Sequence, residues 1–174
     1  MARLRELGVS FEHWCFACGR LNDAGLHLDF DVSRDRAETA YTAMRRHQGY
    51  DGLLHGGVVT ALLDEAMGWA IFHQGIWAVT ARIAVTFRRP IALGEEVRVV
   101  GEVTRDRGRL IEARGAVRRA SDGELLAEAD ATFLRMNEES RRRYERIYAA
   151  TDDAFARVRA AVAEEERAKE HGRT

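Results

Sequence analysis

Residues 56–72 read GGVVTALLDEAMGWAIF, and this stretch decides the fold. It spans several helical turns, contains no proline, and places apolar side chains on nearly every side of a helical wheel. A helix with that pattern must be buried on all sides. Its polar side chains are few, namely Thr60, Asp64 and Glu65. The stretch therefore predicts a central helix that carries carboxylates into the interior of the protein.

Segments that alternate apolar and polar residues lie on both sides of this helix, as in half-buried strands. Two of them, 26–32 and 37–43, precede the helix and are joined by a predicted turn at Ser33 to Arg36. The strands predicted after the helix lie near 77–89, 96–105, 109–119 and 124–135. The dipeptides between these later strands are typical of hairpin turns: Leu93-Gly94, Arg107-Gly108 and Asp122-Gly123.

The last predicted strand has one apolar and one polar face. The apolar face carries Leu125, Ala127, Ala129, Ala131 and Phe133. The polar face carries Glu128, Asp130 and Thr132. A run of antiparallel strands with a single interior helix predicts a sheet that curls around that helix, which is an α+β arrangement.

Composition argues against several classes of protein. A chain of 174 residues with 46% hydrophobic content is typical of one globular domain. Its 27 basic and 28 acidic side chains leave a net charge of −1, so no global charge favours nucleic acid or an anionic membrane. No apolar run approaches the ~20 residues of a membrane span, and Met1 to Gly8 lacks the apolar stretch of a signal peptide. We therefore expect a cytoplasmic protein.

Composition changes after Met136, where Glu and Arg become frequent. We expect a core domain over 1–136 and a charged helical extension over 137–174. Apolar residues recur at helical spacing in the extension: Tyr144, Ile147, Tyr148, Phe155, Val158 and Val162. One interpretation is a lid or a partner-binding helix. The other is a solvated appendage packed along one stripe, and we assign it no chemistry.

A carboxylate in the buried helix needs an explanation, because desolvation costs several kcal/mol unless something offsets it. The structural explanation is a buried ion pair or a cap on a neighbouring element. The functional explanation is a general base, because burial raises a carboxyl pKa towards the useful range. Asp64 and Glu65 point about 100° apart on a helix, so only one of them can face a given site.

The helix begins at His55-Gly56-Gly57, where unpaired backbone N–H groups and the positive end of the helix dipole can bind an anion. An acyl-transfer enzyme needs such donors for the oxyanion that develops in its reaction. A glycine N–H at a helix start can supply one. The alternative is a tight strand-to-helix turn with no ligand.

Cys15 and Cys18 are the two cysteines, and they form a C-x-x-C motif. Together with His13 and His27 they could form a four-ligand zinc site, but no second pair with finger-like spacing follows. A redox pair is a second interpretation, and a structural loop is the third. We predict the structural loop and no metal, because neither thiol has a cationic neighbour that would make it reactive.

Two segments, HQGYDGLLHGGVVTALLDEAMG (47–68) and VTARIAVTFRRPI (79–91), resemble the hotdog-fold thioesterases of the PaaI-like and 4-hydroxybenzoyl-CoA thioesterase group. The leader CFACG-x-x-N-x-x-GLHL (15–28) is similar to the first-strand region of bacterial members. The resemblance covers about residues 13–136. It implies a hotdog fold, with a curved antiparallel sheet around one long helix, and hydrolysis of acyl-CoA thioesters.

The resemblance also implies a homodimer, or a dimer of dimers, in which both chains build each site. Gly56 would donate its N–H to the oxyanion, with His55 beside it. Asp64 of the other subunit would act as the base for water or as the nucleophile. Thr80 takes the place of a hydroxyl residue that orients water or the acid.

Further residues are predicted to contact the substrate: Gln48, Gly57, Glu65, Arg88 and Arg89. The arginines, with Arg105, Arg107 and Arg109 as further candidates, would bind the phosphates of coenzyme A. Many relatives carry Asn or Gln six residues before the His, where this chain has Gly49, so Gln48 or His47 would have to substitute. The family spacing selects Asp64 over Glu65.

Two other classes of function fit the same fold. One is a non-catalytic acyl-CoA binder or sensor, although a binder gains nothing from a buried acid. The other is a hydratase or dehydratase, which would pair a His with an Asp or Glu. The order of His, glycine and acid favours the thioesterase. No cofactor is expected beyond the coenzyme A portion of the substrate.

Overall fold

The computed structural model describes residues 1–147 and 152–171. Within these residues the strands are β1 (Ala2–Arg3), β2 (Asp31–Ser33), β3 (Arg36–Thr42), β4 (Ala78–Phe87), β5 (Glu96–Asp106), β6 (Leu110–Arg119) and β7 (Leu125–Arg135). The helices are α1 (Gly56–Phe72), α2 (Glu138–Ile147) and α3 (Asp152–His171), with a short 3₁₀ helix at Arg45–His47. The strands form one antiparallel sheet in the order β1-β2-β3-β5-β6-β7-β4, and α1 packs against it. The predicted α+β hotdog fold is confirmed.

Two glycines allow α1 to approach the sheet closely. Gly101 of β5 and Gly115 of β6 lie opposite each other in the ladder. A Cβ atom at Gly101 would lie 2.2 Å from the backbone carbonyl of Ala66, and one at Gly115 would lie 2.9 Å from a methyl group of Leu63. The helix backbone therefore lies directly on the backbone of β5. The alternation of apolar and polar residues along the strand does not predict this close contact.

The prediction that α1 is buried on all sides is wrong. Its sheet-facing residues are fully buried: Leu62, Leu63, Ala66 and Met67. Along another face, Gly56 and Gly57 are exposed, and partial exposure continues at Thr60, Ala61, Asp64 and Gly68. The sheet ends at β4, and nothing else in the described part of the chain closes over this small-residue face.

The strand predicted over 26–32 is shorter than expected. Its burial does alternate, with Leu26, Leu28, Phe30 and Val32 inside, but the ladder covers only Asp31–Ser33. His27 has a φ of 54°, which interrupts extended backbone. The buried residues instead bond to the preceding loop, as when the Leu26 N–H donates to the Phe16 carbonyl at 2.8 Å.

The interpretation of Leu93-Gly94 as a hairpin is also wrong. Gly94 has the positive φ of a turn, and its N–H donates to the Ala43 carbonyl at 2.8 Å. However, β4 and β5 are not neighbours, since β6 and β7 lie between them. The segment is a crossover, whereas Arg107-Gly108 and Asp122-Gly123 do join adjacent strands.

The C-terminal helices pack against the core through a few residues. Val158 and Val162 of α3 are buried, and Arg157 Nε donates to the Leu7 carbonyl at 3.0 Å. Tyr144 of α2 stacks on Trp77, with ring centroids 6.4 Å apart. Tyr148 lies outside the described residues, as do the side chains of Ile147 and Phe155. No helix in the described ranges is long and apolar enough to span a bilayer.

We expect Gly101→Ala to lower the free energy of unfolding by more than ~3 kcal/mol or to prevent folding, because the new methyl group meets helix backbone that cannot move aside. Gly115→Ala is the matched control, because its methyl group meets flexible side chains, and it should cost about 1–2 kcal/mol. Chemical denaturation of both variants measures the difference. If the two variants lost the same free energy of unfolding, the direct contact between Gly101 and the backbone of α1 would be contradicted.

Candidate active site

Asp64 and Thr80 form the polar centre of the candidate site. Thr80 Oγ1 donates a hydrogen bond of 2.7 Å to Asp64 Oδ1. Asp64 lies on the partly exposed face of α1, and Thr80 lies on β4 at the edge of the sheet. Both side chains are partly buried. The carboxylate is thus held in one orientation while keeping access to the outside of the chain.

A β-bulge turns Thr80 towards the helix. The pairing of β4 with β7 shifts between Thr80 and Arg82, so Ala81 has no partner of its own. Ala81 and Arg82 are consecutive exposed residues, and Ile83 then resumes the alternation. Without the bulge, Thr80 would point to the face opposite Ile83, away from α1. The bulge is therefore what brings the hydroxyl to Asp64.

The start of α1 offers one free backbone donor. His55 caps the helix, and its Nδ1 accepts a hydrogen bond of 2.9 Å from the Gly57 N–H. Among the described residues, nothing accepts the N–H of Gly56, which is exposed. The ring of Phe87 lies beside Gly56, where a Cβ atom would be 3.6 Å away. Gly56 can therefore donate to a ligand, whereas the Gly57 N–H is already used.

Gly56 and Asp64 of one chain are too far apart to act on the same atom. Eight residues of helix separate them. At 1.5 Å per residue, their backbones lie roughly 12 Å apart along the axis. A single chain thus holds the free donor and the carboxylate at separate places.

An apolar pocket of about 440 Å³ lies one helical turn beyond Asp64. Gly68 lies at its wall, four residues after Asp64. Most of the remaining wall is aromatic or aliphatic and includes Trp69, Phe72, Trp77, Val79, Phe133 and Met136. Tyr144 of α2 also lines it, so the C-terminal extension contributes to the pocket.

Glu65 points to a different part of the molecule from Asp64. Its Oε1 accepts a hydrogen bond of 3.0 Å from Trp69 Nε1, and both carboxylate oxygens lie 3.9 Å from Cys15 Sγ. Burial raises the pKa of the Glu65 carboxyl to about 7, and the neighbouring Cys15 contributes. Glu65 thus contacts the cysteine loop and does not bond to Thr80 as Asp64 does, although it also lines the apolar pocket.

The surroundings of Cys15 favour the deprotonated form of its thiol. Its pKa falls to about 5, chiefly because the Cys18 thiol donates a hydrogen bond to it, with the backbone N–H groups of Cys18 and Ala17 adding to the effect. The same interaction and burial raise the pKa of Cys18. The two thiols thus form one interacting pair, and the expectation that neither is reactive stays a prediction.

Many relatives have Asn or Gln at the position of Gly49, and Gln48 and His47 were considered as substitutes for it. Both residues have structural roles. Gln48 Oε1 accepts a hydrogen bond of 3.1 Å from the Gly52 N–H and closes the loop before the helix. His47 is buried, and its Nδ1 lies 2.6 Å from the Tyr41 hydroxyl. Gly49 packs against His55, where a Cβ atom would lie 3.0 Å from the His55 Cα.

Three of the five predicted phosphate-binding arginines, Arg88, Arg89 and Arg107, lie on the surface in ion pairs. Arg88 Nε donates to Glu128 Oε1 at 3.0 Å, and Arg89 Nε donates to Glu124 Oε1 at 3.3 Å. Arg107 pairs with Glu112 at 3.0 Å. Exposed pairs of this kind contribute about 0–1 kcal/mol, so a phosphate could replace the carboxylates.

Comparison with known proteins places this geometry in a family. A family model described as the thioesterase superfamily matches residues 51–126. A putative esterase of Deinococcus radiodurans is 32% identical over 110 residues, which are 63% of this chain and 75% of that protein. The acyl-coenzyme A thioesterase THEM4 of Mus musculus is 28% identical over 92 residues, covering 53% of this chain and 40% of the mouse protein. The chain spans about half or less of the length of the THEM4 relatives that it matches.

A solved structure supports the same assignment. The crystal structure of a thioesterase superfamily protein matches with a TM-score of 0.62 and 28% identity. The match covers 67% of this chain and 60% of that one.

Proposed function

This chain belongs to the thioesterase superfamily, and we propose that it hydrolyses acyl-coenzyme A thioesters to the free acid and coenzyme A. The observation that carries the proposal is the carboxylate of Asp64, held by Thr80 at 2.7 Å beside an apolar pocket. The pocket suits an acyl group, and the name of the mouse relative supports coenzyme A as the leaving group. The acyl portion of the substrate thus has a place near Asp64.

Asp64 drives the chemistry in this proposal. As a base it takes a proton from water while the water oxygen attacks the thioester carbonyl carbon. As a nucleophile it attacks that carbon itself, and water then hydrolyses the resulting anhydride. In either case the C–S bond breaks, and the thiolate of coenzyme A leaves and gains a proton. Thr80 orients the Asp64 carboxylate in both routes.

The N–H of Gly56 stabilises the oxyanion. The carbonyl oxygen gains negative charge as the tetrahedral intermediate forms, and a free N–H at the positive end of a helix binds that charge. Gly56 meets both requirements, because it is exposed and nothing in the described part of the chain accepts its N–H. His55 supports this role by capping Gly57 and leaving the Gly56 donor free.

The active protein in this proposal is a dimer that shares each site. Gly56 of one chain and Asp64 of the other act together, because the roughly 12 Å of helix between them prevents this within one chain. Two features support such an assembly. The small-residue face of α1 is uncovered, and β4 is an edge strand on which Val79 and Phe87 are exposed. An edge strand can pair with a copy of itself across a two-fold axis.

We expect Asp64→Asn to fold but to lower kcat by at least ~100-fold, because it removes the base or nucleophile. Glu65→Gln should lower kcat far less, because that side chain points towards the cysteine loop. Release of free thiol from a panel of acyl-coenzyme A substrates measures both variants. The reverse order of effects would show that the wrong carboxylate has been assigned.

Thr80→Val should lower kcat by between about 10- and 100-fold with little change in KM, because Asp64 loses the hydrogen bond that orients it. Thr86→Val on the same strand is the control, because that side chain is exposed and should not affect turnover. Thr80→Ser keeps the hydroxyl and should retain most of the activity. Full activity in Thr80→Val would remove this residue from the mechanism.

Hybrid dimers test whether the site is shared. Gly56→Pro deletes the N–H donor at the first helical position, where proline is tolerated, and the extended conformation of His55 is compatible with a following proline. Each of Gly56→Pro and Asp64→Asn should be inactive alone.

After the two inactive variants are mixed, unfolded and refolded, one of the two sites in each hybrid dimer is intact, so about a quarter of the parent activity should return. If a mixture shown to contain hybrid dimers recovered no activity, the Gly56 N–H and the Asp64 carboxylate would not be shared between two chains.

A further inference from the structure

The cysteine loop and α1 bring three metal-ligand atoms together. Cys15 Sγ, Cys18 Sγ and a carboxylate oxygen of Glu65 all lie within 4.8 Å of one another. In the described part of the chain this is the one group of three or more such residues that could hold a metal ion. The zinc site considered from the sequence alone had different members, since His27 Nε2 lies 2.7 Å from the Asn22 carbonyl and is outside this group.

The spacing of these atoms is close to that of a metal site. In a tetrahedral zinc site, with Zn–S near 2.3 Å and Zn–O near 2.1 Å, a sulfur and an oxygen ligand lie roughly 3.6 Å apart. The distance from Cys15 Sγ to each Glu65 oxygen is 3.9 Å. A shift of a few tenths of an ångström would therefore bring Cys15 and Glu65 to the separation of two zinc ligands, and Cys18 Sγ lies within 4.8 Å of both.

The loop that carries the thiols has a fixed shape. The Gly19 N–H donates to the Cys15 carbonyl at 2.9 Å. A Cβ atom at Gly19 would lie 2.2 Å from the His13 carbonyl oxygen, so only glycine fits. The loop therefore holds Cys15 in a fixed position, with its Sγ 3.9 Å from the carboxylate oxygens of Glu65.

The carboxylate is oriented in a way that is typical of metal ligands. Trp69 Nε1 donates to Glu65 Oε1 at 3.0 Å, and hydrogen bonds of this kind commonly hold a metal-ligating carboxylate in place.

We propose that Cys15, Cys18 and Glu65 bind a thiophilic divalent metal ion of the zinc class, with the fourth ligand position facing the adjacent pocket. All three residues line that pocket of about 440 Å³, so water can reach the open position. The site is separate from Asp64, whose side chain bonds to Thr80 on another face of the helix. The bound ion would link the loop that contains Cys15 and Cys18 to the middle of α1.

Metal analysis of the full chain tests this site independently of any enzymatic activity. The protein is produced in zinc-supplemented medium and purified under reducing conditions without chelators. Elemental analysis should find about one zinc per chain. After replacement of zinc by cobalt(II), the parent should show a strong sulfur-to-cobalt charge-transfer band in the near ultraviolet. This spectrum needs no variant, so it remains informative if a cysteine variant fails to fold.

Matched variants identify the ligands. Glu65→Gln and the double variant Cys15→Ser with Cys18→Ser should each weaken zinc binding by at least ~100-fold, because each removes a direct ligand. Asp64→Asn alters the adjacent carboxylate and should bind zinc like the parent.

The proposal is overturned if the parent contains no zinc and gives no charge-transfer band. It is also overturned if Glu65→Gln binds zinc as tightly as the parent, or if Asp64→Asn loses zinc to the same extent as Glu65→Gln. A Cys15–Cys18 disulfide that persists under reducing conditions and excludes the metal would overturn it as well.

Discussion

The contact between the backbone of α1 and Gly101 of β5 is the constraint on which the rest of the structure depends. At this point the helix and the sheet touch without an intervening side chain, where a Cβ atom would lie 2.2 Å from the Ala66 carbonyl. Ala66 directly follows the two carboxylates, so this contact sets how deep Asp64 and Glu65 lie. If a methyl group at Gly101 pushed α1 away from the sheet, Asp64 would separate from Thr80, and Glu65 would separate from the cysteine loop.

The two adjacent carboxylates of α1 have different environments because of helix geometry. Side chains of consecutive residues diverge by about 100°, so Asp64 turns to the edge strand and Glu65 turns to the loop of Cys15. Asp64 keeps access to the outside and receives one hydrogen bond from Thr80. Glu65 lies beside a thiol, and burial raises its pKa to about 7. The helix therefore places one carboxylate beside Thr80 and the other beside Cys15.

Small residues serve different purposes on the two sides of α1. Towards the sheet, Gly101 and Gly115 make room for the helix. On the open side, Gly56, Gly57, Ala61 and Gly68 leave a flat face that the described part of the chain does not cover. Gly56 and Asp64 lie at different heights on that face, and in the dimer that we propose Gly56 of one chain lies with Asp64 of the other. This arrangement links the composition of the helix to the shared site that we propose.

The sequence by itself determined the features that depend on short-range pattern. The apolar run of 56–72, the alternation of the strands after it and the glycines at Arg107-Gly108 and Asp122-Gly123 predicted the helix, the sheet and two hairpins. The resemblance to thioesterases, carried by HGG and by an acid nine residues after the histidine, pointed to Gly56 and Asp64 as candidate site residues. These patterns involve residues that are close in sequence, so they can be recognised without knowledge of the fold.

Only the tertiary structure decided the features that join distant parts of the chain. The bulge at Ala81 reverses the side on which Thr80 lies, and it depends on the register with β7. The crossover at Leu93-Gly94 depends on β4 taking the sheet edge, and the approach of Glu65 to Cys15 joins residues that are 50 positions apart. Pairing register and packing depth are set by the whole core at once, and no local pattern encodes them.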